Sequence, residues 1–282
     1  IAVLDAGFMN VDKIAAFRNL NIKGTHNFVS GYDNDVYKEM DHGTKTLSTI
    51  AMNQPTVFVG TAPKADFWLL RTEDYSTESP AEEDFWIAAV EFSDSVGVDI
   101  ISSSLGYHGF DDMSMNYRYS DLNGRTAAIS QAASRLASKG MILVNSAGND
   151  GMGTWKKINV PADAHDILTV GAVTLDKVNA PFSSIGPTAD GRIKPDVMAY
   201  GCPTNVVSGR GYIIPDNGTS FACPLIAGMV ACLWQACPNK SAKEILDIVR
   251  QSGNNCQSPD NIMGYGIPDF WSAYQSATRY NQ

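Results

Sequence analysis

One segment of the sequence combines a nucleophilic side chain with local structure that could activate it. Asn217-Gly218-Thr219-Ser220-Phe221-Ala222-Cys223-Pro224 leads into an apolar stretch that is typical of a buried helix. Gly218 allows a tight turn before that helix, and Pro224 is expected in its first turn, where proline is tolerated. Ser220 would then lie at a helix N-terminus, where free N–H groups and the helix dipole favour a developing anion. The segment predicts a nucleophilic serine, and the simpler alternative is a hydroxyl that only caps the helix.

A serine nucleophile needs a neighbouring base, and the chain contains four histidines. His42 is the candidate because it lies in Asp41-His42-Gly43-Thr44, at the start of a stretch with helical spacing of apolar residues. The other three, His26, His108 and His165, stand in loop-like surroundings that are typical of surface or structurally hydrogen-bonded histidines.

Two polar residues that follow apolar runs could complete such a site. Asp5 ends the apolar run Ile1–Leu4, where a carboxylate is penalised unless it has a partner, so it is the candidate to orient the imidazole. Asn149 follows the apolar run Met141–Asn145 and could donate its amide N–H to an oxyanion. Taken singly, both residues are also typical of ordinary turns.

The elements that must position these residues alternate along the chain. Strands are predicted at Ile1–Asp5, Thr56–Gly60, Asp66–Arg71, Val98–Leu105, Met141–Asn145 and Ile167–Val173. Helices are predicted at Glu82–Val96, at Thr126–Lys139 with Gly140 as its C-cap, from Ser220 onward, and at Ser241–Arg250 with Ser241 as its N-cap. The expected buried face of the first helix is Phe85, Ala88, Ala89, Phe92 and Val96. This alternation predicts one α/β domain with a parallel sheet and right-handed crossovers, whose site lies beyond the carboxyl ends of the strands.

Composition excludes several classes of protein. Of 282 residues, 44% are hydrophobic and 18% charged, which provides for a sizeable core rather than disorder. A net charge of −9 with no basic stripe argues against nucleic-acid binding. The longest apolar run, Leu225–Trp234, is shorter than the roughly 20 residues of a membrane span, so no transmembrane segment is expected. Five cysteines without a C-x-x-C predict neither a disulfide-dense scaffold nor a zinc site.

Taken together, the motifs resemble the subtilisin-like serine proteases, or subtilases, whose chain order is Asp…His…Ser. The resemblance is carried by Val3-Leu4-Asp5-Ala6-Gly7, His42-Gly43-Thr44, Gly60-Thr61-Ala62-Pro63, Ser104-Leu105-Gly106, Ala147-Gly148-Asn149, Gly171-Ala172-Val173, Pro195-Asp196-Val197-Met198-Ala199, Gly218-Thr219-Ser220-x-Ala222-x-Pro224 and Gly264-Tyr265-Gly266. It implies a three-layer single domain over residues 1–282, with a mostly parallel central sheet flanked by helices.

The resemblance also implies a role for each candidate residue. Ser220 would attack the scissile carbonyl, His42 would take and return the proton, and Asp5 would fix the imidazole tautomer. Asn149 and the backbone N–H of Ser220 would form the oxyanion hole. Substrate binding would fall to Ser104, Leu105 and Gly106, which would pair with the peptide backbone as an added strand, and to a side-chain pocket with walls at Ala147 and Gly148 and its floor near Asn159.

From the same resemblance we expect a secreted or cell-surface endopeptidase, with the periplasm as a further location. Its partners would be polypeptide substrates and a cleaved N-terminal propeptide, because the chain begins at Ile1 inside a predicted strand. A pseudoprotease that binds peptides without cleaving them is the alternative, and transpeptidation through the same acyl-enzyme stays open. A nucleotide-binding enzyme is excluded because no G-x-G-x-x-G follows a strand.

Three positions depart from the family pattern. Ala6 stands where Ser or Thr is usual, and Lys45 replaces the second histidine of H-G-T-H. The stretch from Met52 to Val57, where many subtilases bind calcium, is short and has Pro55 where an Asn ligand would be needed. We expect no cofactor for the chemistry and no calcium at this place. Asp33-Asn34-Asp35 and Asp121-x-Asn123-Gly124 are expected to be solvated turns, and a structural calcium ion elsewhere is left open.

Two further expectations concern thiols and charge. Cys237 and Cys256 flank the helix Ser241–Arg250, which predicts a disulfide across it, while Cys223 and Cys232 are expected to be buried thiols. The segments Arg71–Asp84 and Tyr107–Asn123 are expected to form an acidic rim of nine carboxylates against Arg71 and Arg118: Glu73, Asp74, Glu78, Glu82, Glu83, Asp84, Asp111, Asp112 and Asp121. Such a rim predicts a preference for Lys or Arg two to four residues before the cleaved bond, and a purely solubilising acidic face is the alternative.

Overall fold

The computed structural model describes residues 1–279, and residues 280–282 of the predicted domain lie outside the described residues. The strands in chain order are β1 (Ala2–Asp5), β2 (Asn21–Asn27), β3 (Asn53–Gln54), β4 (Phe58–Val59), β5 (Asp66–Arg71), β6 (Ile100–Ser103), β7 (Ile142–Ser146), β8 (Leu168–Thr174), β9 (Val197–Cys202), β10 (Thr204–Val207) and β11 (Ile213–Asp216). Seven of them form one sheet in the order β2-β5-β1-β6-β7-β8-β9, and every pairing in it is parallel. The pairs β3-β4 and β10-β11 are separate antiparallel hairpins.

Helices cover both faces of this sheet. They are α1 (His42–Ala51), α2 (Ala81–Ser95), α3 (Ala128–Ala133), α4 (Thr219–Ala236), α5 (Ala242–Gln251) and α6 (Phe270–Arg279). Because neighbouring residues of a strand point to opposite faces, Val3 joins the apolar cluster of α1, α4, α5 and α6, while Ala2 and Leu4 join that of α2 and α3. The predicted three-layer α/β fold is therefore confirmed.

Several local signals predicted the ends of elements correctly. Ser241 caps α5 through a reciprocal pair of hydrogen bonds with Glu244, and Gly140 is left-handed (φ 87°) where the helical segment before it ends. That segment is shorter than predicted, because α3 ends at Ala133 and only a 3₁₀ turn, Ala137–Lys139, continues it.

The prediction of a sheet strand at Thr56–Gly60 was wrong. Thr56 has a positive φ of 70°, which breaks the extended conformation and turns the chain between β3 and β4. Strand β2 was missed because it is an edge strand whose half-exposed sequence lacks an apolar run, and His26 lies in it rather than in a loop.

The buried face predicted for α2 was right only in part, because Ala89 is buried and Phe92 and Val96 pack against the apolar cluster from its margin. The buried side chains are Glu82, Glu83, Trp86, Ala89, Val90 and Ser93, whereas Ala88 is exposed and Phe85, Phe92 and Val96 are half-buried. The Trp86 indole N–H donates to Ser103 Oγ (3.0 Å), and Glu82 and Glu83 reach internal hydrogen-bond donors. These polar partners turn the helix by a fraction of a turn from the face that apolar spacing indicates.

Helix α4 packs in the middle of the molecule, as its apolar sequence predicted. It contacts strands β6 to β9 of the sheet as well as α1, α5 and α6. Over residues 1–279 it is the one helix long and apolar enough to match a membrane span by length and composition (18 residues, mean hydropathy 1.4), and 61% of it is buried in the protein.

The predicted disulfide is not present. All five cysteines are free: Cys237 packs into the apolar cluster at the end of α4, and Cys256 lies half-buried in the turn after α5. Cys223 is buried as expected, but Cys232 is exposed, so the prediction of a buried thiol there was wrong.

Candidate active site

Asp5 and His42, the predicted orienting carboxylate and base, are in direct contact. Asp5 ends β1 and is fully buried, and its Oδ1 lies 2.7 Å from Nδ1 of His42, the first residue of α1. Asp5 Oδ1 also accepts from the backbone N–H of Ala6 (2.8 Å), and Oδ2 accepts from the Thr46 hydroxyl (3.0 Å). With both oxygens held, the carboxylate fixes the imidazole with Nδ1 toward Asp5 and Nε2 on the opposite side.

The contact requires a glycine at position 43. A Cβ added to Gly43 would lie 2.4 Å from the carbonyl oxygen of Gly7 and 2.9 Å from Cβ of Asp5. The backbone N–H of Gly43 donates to that same Gly7 oxygen (3.0 Å). Any side chain here would push α1 away from the end of β1 and open the bond between Asp5 and His42.

The charges around His42 act on its pKa in opposite directions. Burial of the imidazole lowers the pKa, but the charge and hydrogen bond of Asp5 outweigh burial and raise it above the usual 6.5. Lys45 lowers the pKa of His42, and Asp216 raises it. The imidazolium form is therefore favoured where a proton would be received during catalysis.

Ser220 lies in the first turn of α4, and its own backbone carbonyl accepts a hydrogen bond from outside the helix. The prediction that Pro224 falls in the first helical turn was wrong, because α4 begins at Thr219 and Pro224 is inside the helix. Pro224 has no N–H for the carbonyl of Ser220, four residues earlier. That carbonyl instead accepts from the hydroxyl of Ser104 (2.8 Å), so the predicted substrate edge is bonded to the serine.

Asn149 is fixed through its oxygen. Its Oδ1 accepts from the backbone N–H of Thr219 (2.9 Å) and lies 2.9 Å from the Thr219 hydroxyl. Within residues 1–279 its amide N–H₂ has no hydrogen-bond partner, and Asn149 is exposed at the cleft. Thr219 thus orients the amide as a free donor directly beside Ser220.

Seven of the predicted site residues line one cavity of about 320 Å³ at the carboxyl ends of β6 and β7. They are Ser104, Leu105, Gly106, Gly148, Asn149, Asn159 and Ser220. The rings of His42 and Phe221 lie 5.8 Å apart between centroids. Because Phe221 follows Ser220, this contact places the Asp5–His42 pair near the part of the cavity that Ser220 lines. Parallel strands bring these residues together although they are far apart in the chain.

Two placements differ in detail from the expectation. Ala147 is fully buried and does not line the cavity, so Gly148 alone forms that wall. Asn159 lies between Gly106 and Gly148 and donates its amide to Asp150 Oδ2 (3.0 Å).

Six lining residues were not predicted for the pocket: Ser146 and Thr219, which are chain neighbours of predicted residues, and the four residues Glu78, His108, Gly109 and Asp150. Asp150 directly follows the oxyanion candidate, so the motif itself could have indicated it. Glu78, His108 and Gly109 enter from the segments predicted only as rim.

The expected charge of the acidic rim was overestimated. Glu82 and Glu83 are buried, and burial raises the pKa of each to about 7. Burial also raises the pKa of Glu73 to about 8, helped by the nearby charge of Glu82. Arg71 is buried and ion-paired with Glu39 (2.8 Å). Three of the nine carboxyls therefore bind protons near neutral pH, so the negative charge of the rim is smaller than the sequence indicates. The preference for Lys or Arg before the cleaved bond stays a prediction.

Glu73 makes the stability of the protein depend on pH. Its carboxyl accepts from the hydroxyls of Tyr107 (2.6 Å) and Thr72 (3.0 Å). Between its usual pKa of 4.5 and about 8, the folded chain holds a proton that the unfolded chain releases, so this group lowers the free energy of unfolding as pH rises through that range.

Glu73→Gln is therefore expected to flatten the fall of the melting temperature between about pH 5 and pH 8. Thermal unfolding across this range measures it, with the exposed Glu91→Gln on α2 as the control that keeps the wild-type slope. Equal slopes for Glu73→Gln and wild type would contradict the assignment of a bound proton to Glu73.

The stretch after α1 does not fit calcium. The hairpin of β3 and β4 contains no carboxylate between Met52 and Val59, and carboxylate oxygens are the main ligands that hold Ca²⁺. Among residues 1–279 there is no group of three or more His, Cys, Asp and Glu side chains that could hold a metal ion. Asp33 instead pairs with Lys38 (2.7 Å).

Comparison with known proteins identifies the family. A sequence model of the subtilase family matches residues 1–266. The chain belongs to the subtilase family. It is 27% identical to subtilisin DY from Bacillus licheniformis over 259 residues, which are 90% of this chain and 85% of that protein. It is 29% identical to subtilisin NAT from Bacillus subtilis subsp. natto over 88% of this chain, but spans only 58% of that relative's length.

Solved structures support the same fold. The self-cleaved protease domain of PatA superposes on this subtilase with a TM-score of 0.77 at 20% identity, covering 98% of this chain and 96% of the other. The epidermin leader peptide processing serine protease EpiP from Staphylococcus aureus gives a TM-score of 0.74 at 21% identity, covering 100% of this chain and 75% of the other. Family membership makes this chain a serine-type endopeptidase.

Proposed function

We propose that this subtilase hydrolyses polypeptides through an acyl-enzyme on Ser220, with His42 as the general base and acid and Asp5 as the residue that orients it. The observation that carries the proposal is the 2.7 Å contact between Asp5 and His42, whose ring lies 5.8 Å from that of Phe221, the residue after Ser220 in the first turn of α4. No cofactor is needed for this chemistry, because the nucleophile, the base and the anion donors all come from the protein.

The reaction follows from the positions of these groups. Ser220 Oγ attacks the scissile carbonyl while Nε2 of His42 takes its proton, and the charge of Asp5 stabilises the imidazolium that forms. The tetrahedral oxyanion accepts hydrogen bonds from the Asn149 amide and from the backbone N–H of Ser220. His42 then protonates the leaving amine, and water hydrolyses the acyl-enzyme by the same steps in reverse order.

Substrate would bind along the edge formed by Ser104, Leu105 and Gly106. An extended peptide that pairs with this backbone adds a strand beside the cavity, and the side chain before the scissile bond enters between Gly106 and Gly148. The bond from Ser104 to the Ser220 carbonyl would keep this edge in register with the nucleophile.

The test of the function is covalent labelling by a fluorophosphonate probe, followed by digestion of an unfolded protein and mass spectrometry of the products. Wild type is expected to be labelled on Ser220 and to produce defined cleavage sites. A pseudoprotease would bind peptides without either result, and cleavage without labelling of Ser220 would contradict the assignment of the nucleophile.

We also propose that the enzyme acts outside the cytoplasm and matures by loss of an N-terminal propeptide. An acidic surface charge and membership of the subtilase family support this location. Expression of the full gene product in the cells that make it, with N-terminal sequencing of the secreted and retained forms, tests both points. Retention of an uncleaved form inside the cell would contradict them.

Asn149→Ala is expected to lower kcat by about 10²–10³ with KM nearly unchanged, the effect known for the corresponding substitution in subtilisin. The amide would act on the oxyanion, which exists only in the transition state, so ground-state binding changes little. Steady-state kinetics with a peptide substrate measure both constants, and the exposed Asn239→Ala serves as control.

Asn149→Asp separates the two roles of Asn149, which are to accept from Thr219 and to donate to the oxyanion. Aspartate keeps oxygens for Thr219 but places a second acceptor where the amide donor stood, so we expect a loss of kcat at least as large as that of alanine. An aspartate variant close to wild type would mean that Asn149 serves only to hold Thr219.

A further inference from the structure

Lys45 lies one helical turn after His42 and connects two parts of the site. Its Nζ is 3.1 Å from Oδ2 of Asp216, at the end of β11, and 3.5 Å from Oδ1 of Asp41, the residue before His42. Only 19% of the Lys45 side chain is exposed. An ion pair that is largely shielded from solvent is screened less than an exposed one.

Both carboxylates have a second bond that attaches them to the chain near the site. Oδ1 of Asp216 accepts from the backbone N–H of Asn217 (2.8 Å), the first residue of the turn that leads to Ser220. Oδ2 of Asp41 accepts from the backbone N–H of Gly209 (3.0 Å), in the loop between β10 and β11. Lys45 thus links the helix that begins at His42 directly to the strand that ends four residues before Ser220.

We propose that Lys45 is a positioning residue, whose ion pair with Asp216 sets the position of His42 relative to Ser220. This inference rests on the proposed function and deepens it, since it concerns how the base and the nucleophile are held together. Lys45 stands where the family pattern often has a histidine, so its ion pair with Asp216 depends on a departure from that pattern.

The same geometry has an electrostatic consequence for the base. The charged groups that act on His42 are Asp5 from β1, Lys45 from its own helix and Asp216 from β11, and Asp41 contacts Lys45. Lys45 opposes the protonation of His42 and Asp216 favours it. Removing Lys45 must therefore raise the pKa of His42, and removing the charge of Asp216 must lower it.

The experiment compares wild type with Lys45→Met, Asp216→Asn and Lys45→Arg. NMR titration of His42, assigned with His42→Gln, measures the pKa without any substrate, and kcat against pH measures the consequence. We expect opposite pKa shifts in Lys45→Met and Asp216→Asn. We also expect kcat to fall by about 10-fold to 10²-fold at the pH optimum of Lys45→Met, because small misplacements of catalytic groups cost that much.

Lys45→Arg keeps the charge and reaches the same carboxylates, so it should recover most of the activity and the wild-type pKa of His42. Lys243 lies on α5, away from the cleft, and forms an exposed ion pair with Asp166 (2.9 Å). Lys243→Met breaks this pair and should change neither the pKa of His42 nor kcat. Shifts of the same sign in Lys45→Met and Asp216→Asn, or unchanged kcat at the optimum of Lys45→Met, would overturn the proposal. Failure of wild type to be labelled at Ser220 would contradict the proposed function instead. The NMR titration would still show whether Lys45 and Asp216 act on His42 as proposed.

Discussion

Ser220→Ala is expected to lower kcat by about 2 × 10⁶, the loss known for the nucleophile of subtilisin, while the fold is retained. Ser220 lies in the first turn of α4, and the hydrogen bonds of its backbone do not involve its own hydroxyl. Its carbonyl, for example, still accepts from the Ser104 hydroxyl after the substitution. Residual hydrolysis would come from the oxyanion donors and substrate binding, which remain in place. Measurement of kcat by a sensitive peptide assay, with circular dichroism to check the fold, tests the prediction.

A second helix-start serine provides the matched control for Ser220→Ala. Ser241 caps α5 with its side chain and lies outside the cavity. Ser241→Ala should cost about 1 kcal/mol of stability and leave kcat unchanged, because it removes a cap and no catalytic group. The N-cap of α4 is Gly218 and no side chain caps this helix, so Ser220 has no capping role to lose. A normal kcat in Ser220→Ala, as in Ser241→Ala, would mean that the assignment of the nucleophile is wrong.

Asp5→Ala is expected to lower kcat by about 3 × 10⁴, again by comparison with the corresponding residue of subtilisin. The substitution leaves Nδ1 of His42 and the N–H of Ala6 without their buried acceptor, while the Thr46 hydroxyl keeps the Gly43 carbonyl as an acceptor. It also removes the charge that raises the pKa of His42, so the remaining activity should persist to lower pH than in wild type. A profile of kcat against pH measures both effects.

Asp5→Asn distinguishes charge from orientation. The Thr46 hydroxyl lies 3.1 Å from the Gly43 carbonyl, so it can donate there and accept from the amide that the substitution introduces. The remaining oxygen of the substituted side chain would then still accept from His42, which keeps the imidazole orientation but removes the negative charge. We expect Asp5→Asn to retain more activity than Asp5→Ala and to show the same displacement of the pH profile.

The exposed Asp269→Ala at the start of α6 is the control for these two substitutions, with unchanged kcat expected. Activity of Asp5→Ala within tenfold of wild type would contradict the role of Asp5, on the scale of losses known for the triad.

Short motifs in the sequence indicated the candidate residues of the site. Asp5, His42, Ser220 and Asn149 each follow a local signal, namely a carboxylate at the end of an apolar run, a Gly-Thr after histidine, and small residues at helix or strand ends. Alternating apolar runs and helical spacing predicted the layered α/β fold as well. These properties are local, because strand ends and helix starts depend on a few neighbouring residues.

The tertiary structure decided which of these residues have additional partners. Pro224 removes one hydrogen bond of the helix. Only the tertiary structure shows that Ser104, directly after β6, donates to the Ser220 carbonyl in its place. The Lys45 side chain could be predicted as a departure from the family pattern, but its pairing with Asp216 depends on two segments 171 residues apart.

Charge and burial were the properties that sequence could not determine for this protein. The carboxyls of Glu73, Glu82 and Glu83 count as charges in the sequence, yet burial raises their pKa values to near or above neutrality. The apolar spacing of α2 likewise indicated only part of its buried face, and it missed Trp86 and the two glutamates, which have polar partners inside. Chain order specifies which groups are present, but the protonation and exposure of a group depend on the dielectric and the hydrogen-bond partners that distant segments place around it.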